Sequence, residues 1–319
     1  MKNKRMRKII LVDILLLVLL FFASSTDLLI KEQKVAVHKI AVVVDMPVKG
    51  QMDNFRSGTM KASAEYHTDM NFINLSSWDD MKDKQAVLQK ELDNGCKGMI
   101  IHCEEEQVAQ AILHSIPSDI PVLLYNEEAE GSCVRGRIGS DPEEESRLLM
   151  EAILQEEHDV GTILLAEPTS CAERVLILHD RLQEQLEAEG LLVRRIKVDS
   201  FEKVQALIKS VSTLSDNVFV SGDVSVLQML GEENAVSSNP RSVYGVGFHA
   251  DIRSLIEAGA ISGTVVHRAY EAGYFSVEKM VEILNGKNSS EKKMTVESVI
   301  VTQKNMYFPE IESVIFPYV

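Results

Sequence analysis

RSVYGVGFHADIRSLIEAGAISGTVVHRAYEAGYFSVEKMVEILNG, Arg241 to Gly286, is the stretch on which the fold turns. Val243 to Gly247 is a short apolar run bounded by turn residues and reads as a buried strand. Asp251 to Glu257 reads as a short helix, Ile261 to Val265 as a second strand, and the remainder as a long helix. Gly273, Val277, Met280, Val281 and Leu284 make the apolar stripe of that helix. A strand, a tight bend and a helix that starts at once leave polar groups at the strand's carboxyl end. Open α/β sheets hold their ligands there.

Working outward, the same unit recurs. KIAVVVD, residues 39–45, is a continuous apolar run of the kind that suits a parallel strand covered on both faces. Phe55, Gly58, Thr59, Ala62 and Tyr66 then fall on one helical face, and MNFINL follows as a strand. Met81 to Asn94 reads as a helix, GMIIH as a strand, Glu104 to Ser115 as a helix and IPVLLY as a strand. A second run starts after Asp141, which caps a helix from Pro142 to Glu156. GTILLAE, a helix lined by Val175, Leu178, Leu182 and Leu186 and ended by Gly190, LLVRRIKV, Phe201 to Ser210, NVFVSG and Val224 to Leu230 continue it. Such alternation means βαβ crossovers and parallel sheets, and two runs mean two lobes.

The chain has 319 residues, enough for two average domains, and a formal net charge of −15. That charge repels nucleic acid and acidic lipid, so neither is expected as a partner. Cys96, Cys103, Cys133 and Cys171 have neither CxxC nor zinc spacing and read as structural thiols. Lys2, Lys4, Arg5, Arg7 and Lys8 precede an apolar run from Ile9 to Ala23 broken only by Asp13. This is the layout of a secretory signal or a short membrane anchor, so the chain is expected outside the cytoplasm. No cysteine follows the run to take a lipid. Residues 27–38 are a polar tether.

Chemistry-bearing motifs are sparse. GVGFHA, Gly245 to Ala250, has the form of a dinucleotide fingerprint. Its helix is too short for that role, and no acidic residue is spaced to hold a ribose. No nucleophile elbow, HExxH or P-loop occurs. His102, Cys103 and Glu104 adjoin at a strand end, but successive strand residues point to opposite faces, which argues against one shared ion. No catalytic residue, metal or cofactor is expected, and no enzyme.

The order of these weak motifs from about His38 to the closing VTQKN, Val301 to Asn305, resembles the type I periplasmic binding proteins. These are the sugar-binding relatives of ribose- and galactose-binding proteins and of the LacI effector domain. The resemblance implies an α/β fold of two doubly wound parallel-sheet lobes joined by a three-segment hinge, preceded here by an N-terminal hydrophobic helix. The implied boundaries are 1–38 for signal or anchor and tether, 39–141 plus 267–293 for the first lobe, and 142–266 plus 294–319 for the second. It also implies an extracytoplasmic solute-binding protein that closes over a small polar, sugar-like ligand and delivers it to an ABC importer. The alternative is a membrane-anchored sensor subunit that signals to a partner such as a histidine kinase.

Candidate ligand-binding residues are Asn126, Arg174, Asp223, His249, His267, Asp141 and Trp78. Arg174, in the first turn after a strand, matches an arginine that donates to sugar oxygens in two directions; its bland role is a helix-surface ion pair. Asp223 and Asp141 can each cap a helix as well as accept from a ligand. Trp78 offers a stacking face or simply anchors its loop. The chain departs from the family at Asn126 and Glu127, where an aspartate and an arginine are usual, at His249 for an aspartate, and at His267 for a glutamine. Gln51 and Met52 replace a sandwiching aromatic pair. If both histidines face the cleft and titrate near neutrality, affinity for a neutral ligand should fall as the pH drops through the histidine range.

Overall fold

The computed structural model describes residues 2–25, 37–46, 50, 52–103, 105–156, 161–169, 172–198, 200–210, 217–287 and 292–317. The chain divides into two units, Met1–Val37 and His38–Val319. In the first, α1 (Lys2–Ser25) is apolar on every side over its middle, and Ile10, Leu15 and Phe21 are all exposed. Among the described residues no helix is long and apolar enough to cross a membrane.

The second unit alternates strand and helix. Its first half holds β1 (Lys39–Asp45), α2 (Asp53–Tyr66), β2 (Asp69–Asn74), α3 (Met81–Asp93), β3 (Gly98–Cys103), α4 (Glu106–Ser115), β4 (Val122–Tyr125) and β5 (Val134–Gly139). Its second half holds α5 (Pro142–Glu156), β6 (Thr162–Pro168), α6 (Glu173–Ala188), β7 (Leu192–Val198), α7 (Phe201–Ser210), β8 (Val218–Ser221), α8 (Val224–Val236), β9 (Ser242–Val246), α9 (Ala250–Glu257) and β10 (Gly263–His267). The chain closes with α10 (Ala269–Leu284), β11 (Lys293–Thr295), β12 (Ser298–Thr302) and α11 (Pro309–Ile315).

The strands form two six-stranded sheets, ordered β11-β5-β4-β3-β1-β2 and β12-β10-β9-β8-β6-β7. Each is doubly wound and defines one α/β lobe. Central strands are apolar throughout because both faces are covered. In β1, Ala41 and Val43 pack with Leu88, Ile112 and Leu113 of α3 and α4, while Ile40, Val42 and Val44 pack with Phe55, Val277 and Met280 of α2 and α10. The second sheet is clad by α5 and α6 through Leu149, Ile153, Leu178 and Leu182, and by α7, α8, α9 and α11 on its other face.

α10 is the element that returns from the second sheet to the first. Its buried residues, Ala272, Gly273, Ser276, Val277, Met280 and Val281, follow the stripe read from the sequence. Gly273 and Gly58 allow its backbone to touch that of α2. A Cβ on either would fall below 3.0 Å from a main-chain oxygen, Phe55 O for Gly273 and Tyr270 O for Gly58.

The sequence reading left several elements out. VTQKN lies at the end of β12 and in the turn after it, and α11 follows with Pro309 at its start. β5 and the three-residue β11 carry little apolar sequence yet extend the first sheet. Met294 lies within β11, so the last passage between sheets falls at Val296 and Glu297. Because that passage delivers the chain to the carboxyl end of β10, β12 runs antiparallel to it while every other pairing is parallel.

Every described strand lies in His38–Val319. A protein beginning at Lys39 should therefore fold with all the strands and with helices α2 to α11, losing only the helix content of α1. Its circular dichroism and cooperative thermal unfolding check this, and an insoluble or non-cooperative product would contradict it.

Candidate ligand site

The carboxyl ends of both sheets meet around a cavity of about 130 Å³. From the first sheet come Met46 just past β1, His102 in β3, and Tyr125 and Asn126 at the end of β4. From the second come Arg174 in the first turn of α6, the Gly222–Asp223 turn after β8, Gly247 after β9, and His267, the last residue of β10. Four candidate residues, Asn126, Arg174, Asp223 and His267, are thereby brought together.

Tyr125 fixes the centre. Its ring stacks on Phe55 with centroids 4.0 Å apart, and its hydroxyl donates to His267 Nε2 at 2.5 Å. This bond joins the two sheets. Nε2 is an acceptor here, which leaves the ring proton on Nδ1. Burial, then the nearby Arg174 and His102, push His267 down to about 3, and burial pushes the Tyr125 phenol up. Both groups are neutral at physiological pH.

Asn126 has a left-handed backbone, φ 52°. Its Oδ1 accepts from Ser140 N at 2.9 Å, and its Nδ2 lies 3.4 Å from His267 Nε2. The side chain thus ties the end of β4 to the crossover segment. Gly139 has no Cβ because Asn126 Oδ1 fills that space.

Arg174 donates through Nη2 to Ser140 Oγ at 2.7 Å and to Glu145 Oε2 at 2.5 Å. Glu145 is fully buried. Among the described residues, Arg174 Nε and Glu145 Oε1 are buried without a partner. A buried pair with an unmatched atom on each side stabilises a fold poorly, since desolvation offsets the Coulomb gain. Of the two, Arg174 lines the cavity wall. The helix-surface ion pair does not describe Arg174, which turns inward.

Asp223 Oδ1 accepts from Val226 N at 2.9 Å and caps α8. Burial raises its carboxyl above the usual range. Glu127 turns away from the cavity: its Oε1 accepts from Cys103 N at 3.0 Å and lies 3.1 Å from His102 Nδ1. Cys103 sits in the core on the opposite face from His102. Among the described residues, no cluster of histidine, cysteine, aspartate or glutamate is placed to hold a metal. Glu104 and Gln51 lie outside them, as does Cys171, while Cys96, Cys103 and Cys133 are free buried thiols.

His249 does not join this group. It lines an adjoining cavity of about 230 Å³ with Asp53, Asn54, Arg253 and Phe316. Its Nδ1 is 3.9 Å from Asp251, and its Nε2 has no hydrogen-bond partner among the described residues. His267 and Gly247 border both cavities and form the partition between them. Gly247 adopts φ 112° with Val224 packed where a Cβ would stand, so only glycine suits the partition. Asp141 lines neither cavity; its Oδ1 accepts from Glu143 N at 3.1 Å and caps α5. Trp78 also lines neither, and is half-buried against the α3 and α4 core. Met52, at a position where the family has an aromatic, does line the first cavity. Tyr125, Ser140 and Glu145 were not singled out in the sequence, where they read as a strand residue, a crossover and a first-turn acid.

The condition for a loss of affinity through the histidine range, that both residues titrate near neutrality, is not met. Burial holds both His249 and His267 below the ordinary imidazole value, so neither gains charge near neutrality. The consequence falls on stability instead. The unfolded chain takes a proton on His267 near 6.5, whereas the folded chain does so only at about 3. Stability from this residue is therefore intact above 6.5 and is lost progressively as the pH falls toward 3. Denaturant midpoints measured between pH 4.5 and 7.5 should decline with acid, and the decline should shrink in His267→Gln.

Two doubly wound lobes with strand ends facing one another across a cavity define a type I periplasmic binding protein fold. The chain belongs to the periplasmic binding protein family: the model of the periplasmic binding protein domain matches residues 40–288. A carbohydrate transporter solute-binding protein from Agrobacterium radiobacter, solved with D-arabinose, has a similar structure, with a TM-score of 0.74 and 16% identity over 88% of this chain and 99% of that one. A periplasmic ribose ABC transporter protein from Conexibacter woesei gives 0.68 and 15% over 88% and 97%. A LacI transcriptional regulator from Bacteroides fragilis gives 0.69 and 12% over 85% and 98%. A search of curated proteins found no match.

Proposed function

We propose that this protein is an extracytoplasmic solute-binding protein that holds a small, uncharged, sugar-like molecule between its lobes and delivers it to an ABC importer. The observation that carries this reading is the set of polar groups from both sheets, Tyr125, Asn126, Arg174 and His267, around one cavity at the strand ends. The solved relatives that bind D-arabinose and serve carbohydrate transport support the ligand class. Neutral imidazole, amide and phenol groups suit hydroxyls better than they suit a charged ligand.

The two cavities, which share His267 and Gly247 in their walls, together reach the ~300 Å³ at which small-molecule sites begin. Binding therefore includes movement of that partition. The lobes are also linked by Asn54 of α2, whose Nδ2 donates to the carbonyls of Val314 and Ile315 at the end of α11. The crossings near Ser140, His267 and Val296 act as the hinge about which the lobes open and close. The same segments set the lobe boundaries we propose, close to those implied by the sequence. A membrane-anchored sensor is the second reading. It is favoured by α1, whose exposed apolar residues suit retention at a membrane.

A thermal-shift panel of aldopentoses, aldohexoses, polyols, nucleosides and amino acids tests the ligand class. A sugar at a hundredfold excess over its dissociation constant adds about 2.7 kcal/mol of stability by mass action. Stabilisation by amino acids or nucleosides alone would overturn the sugar assignment.

A further inference from the structure

His179 is wholly buried on α6, on the same face as Leu178, Leu182 and Leu186, behind the wall of the first cavity. An imidazole among leucines is costly unless both nitrogens find partners. Both do. Gly222 N donates to His179 Nε2 at 2.9 Å, which leaves the ring proton on Nδ1, and Nδ1 faces Glu167 Oε2 at 3.3 Å. Glu167, itself buried in β6, has its other oxygen 3.2 Å from Lys197 Nζ. Glu167 thereby selects the tautomer that leaves Nε2 free to accept, an arrangement also seen where a carboxylate orients a histidine bound to a metal. The hydrogen bond from His179, then that from Lys197, holds the Glu167 carboxyl below its ordinary value despite burial.

The group that His179 holds is the turn carrying Asp223. A Cβ on Gly222 would stand 3.1 Å from Leu178 and 3.3 Å from His179 Nε2, so the turn rests directly on the α6 face. We infer that His179 is a positioning residue of the ligand site, setting the Gly222–Asp223 turn against the cavity through a Lys197–Glu167–His179–Gly222 relay. That the turn borders a sugar site rests on the function proposed above; the relay itself does not.

Side-chain nitrogen NMR and amide hydrogen exchange on the full chain, with D-arabinose titrated in parallel, separate the two. Wild-type His179 should show an unprotonated Nε2 and a protonated Nδ1. His179→Leu should speed exchange at Gly222, relative to the β6 amides, by about tenfold or more, the scale of one lost buried hydrogen bond. His179→Gln, whose amide oxygen can take the Gly222 proton, should restore protection to within about threefold. D-arabinose affinity should follow the same order. A proton on Nε2, or unchanged relative exchange in His179→Leu, would overturn the relay whether or not any sugar binds. A loosened turn with unaltered D-arabinose affinity would overturn the positioning role. Absence of D-arabinose binding to the wild type counts against the sugar reading alone, since the exchange result still decides the relay.

Discussion

Gly273→Ala should lower the melting temperature by roughly 4 °C or more, and Gly58→Ala should do the same. The added methyl meets a main-chain oxygen of the facing helix, Phe55 O in the first case and Tyr270 O in the second. Side-chain rotation cannot relieve a clash with backbone, so α2 and α10 must separate. Separation withdraws Phe55, Ala272, Val277 and Met280 from the core they share. Overpacking of this kind costs roughly 1–3 kcal/mol and sometimes more, and about 3 kcal/mol is ~6–12 °C for a domain of some 200 residues. Alanine's higher helix propensity, worth about 1 kcal/mol over glycine, acts the other way and is the smaller effect. Differential scanning calorimetry decides the matter, and an unchanged or raised transition in both variants would mean that the helices are not in backbone contact.

Glu145→Ala should be the more damaging single change in the second lobe, by about 3–5 kcal/mol, because it leaves the Arg174 guanidinium largely buried without its counter-ion. Among the described residues, Ser140 Oγ alone remains to accept from it. The double change Arg174→Met/Glu145→Leu removes both charges together and should regain most of that loss, since apolar replacements of similar volume for a buried pair are commonly neutral or stabilising. Chemical denaturation of the three proteins tests this. A double variant as unstable as Glu145→Ala would show that the pair is retained for the fold rather than for the site.

Much of the fold was legible because its signals are local. Pro142–Glu156 and Phe201–Ser210 are helices with the bounds read from the sequence, the first capped at its start by Asp141. KIAVVVD announces a strand by its unbroken apolar run. VRGRIG does not: β5 has two glycines and two arginines in six residues, and pairing with β4 makes it a strand. KMT and the seven residues of α11 are too short to carry a period.

The site was legible in part for the same reason. Strand-end position together with the family resemblance picked out Asn126, Arg174, Asp223 and His267. It could not place His249, because a strand's end fixes a residue's height in the cleft but not the cavity it faces. Tyr125 escaped notice because a buried ring with a working hydroxyl looks, within VLLY, like one more apolar residue. Glu145 looked like a first-turn acid favoured by the helix dipole, and its pairing with Arg174 joins residues 29 apart in the chain.

Calorimetric titration of the wild type and of Arg174→Met/Glu145→Leu with the sugar that most raises the wild-type melting temperature tests the account at its centre. One saturable site per chain in the wild type, lost or weakened at least tenfold in the folded double variant, is the expected result. Equal affinity in the two proteins, or no heat of binding from any sugar, would contradict a sugar site at the facing strand ends of the two lobes.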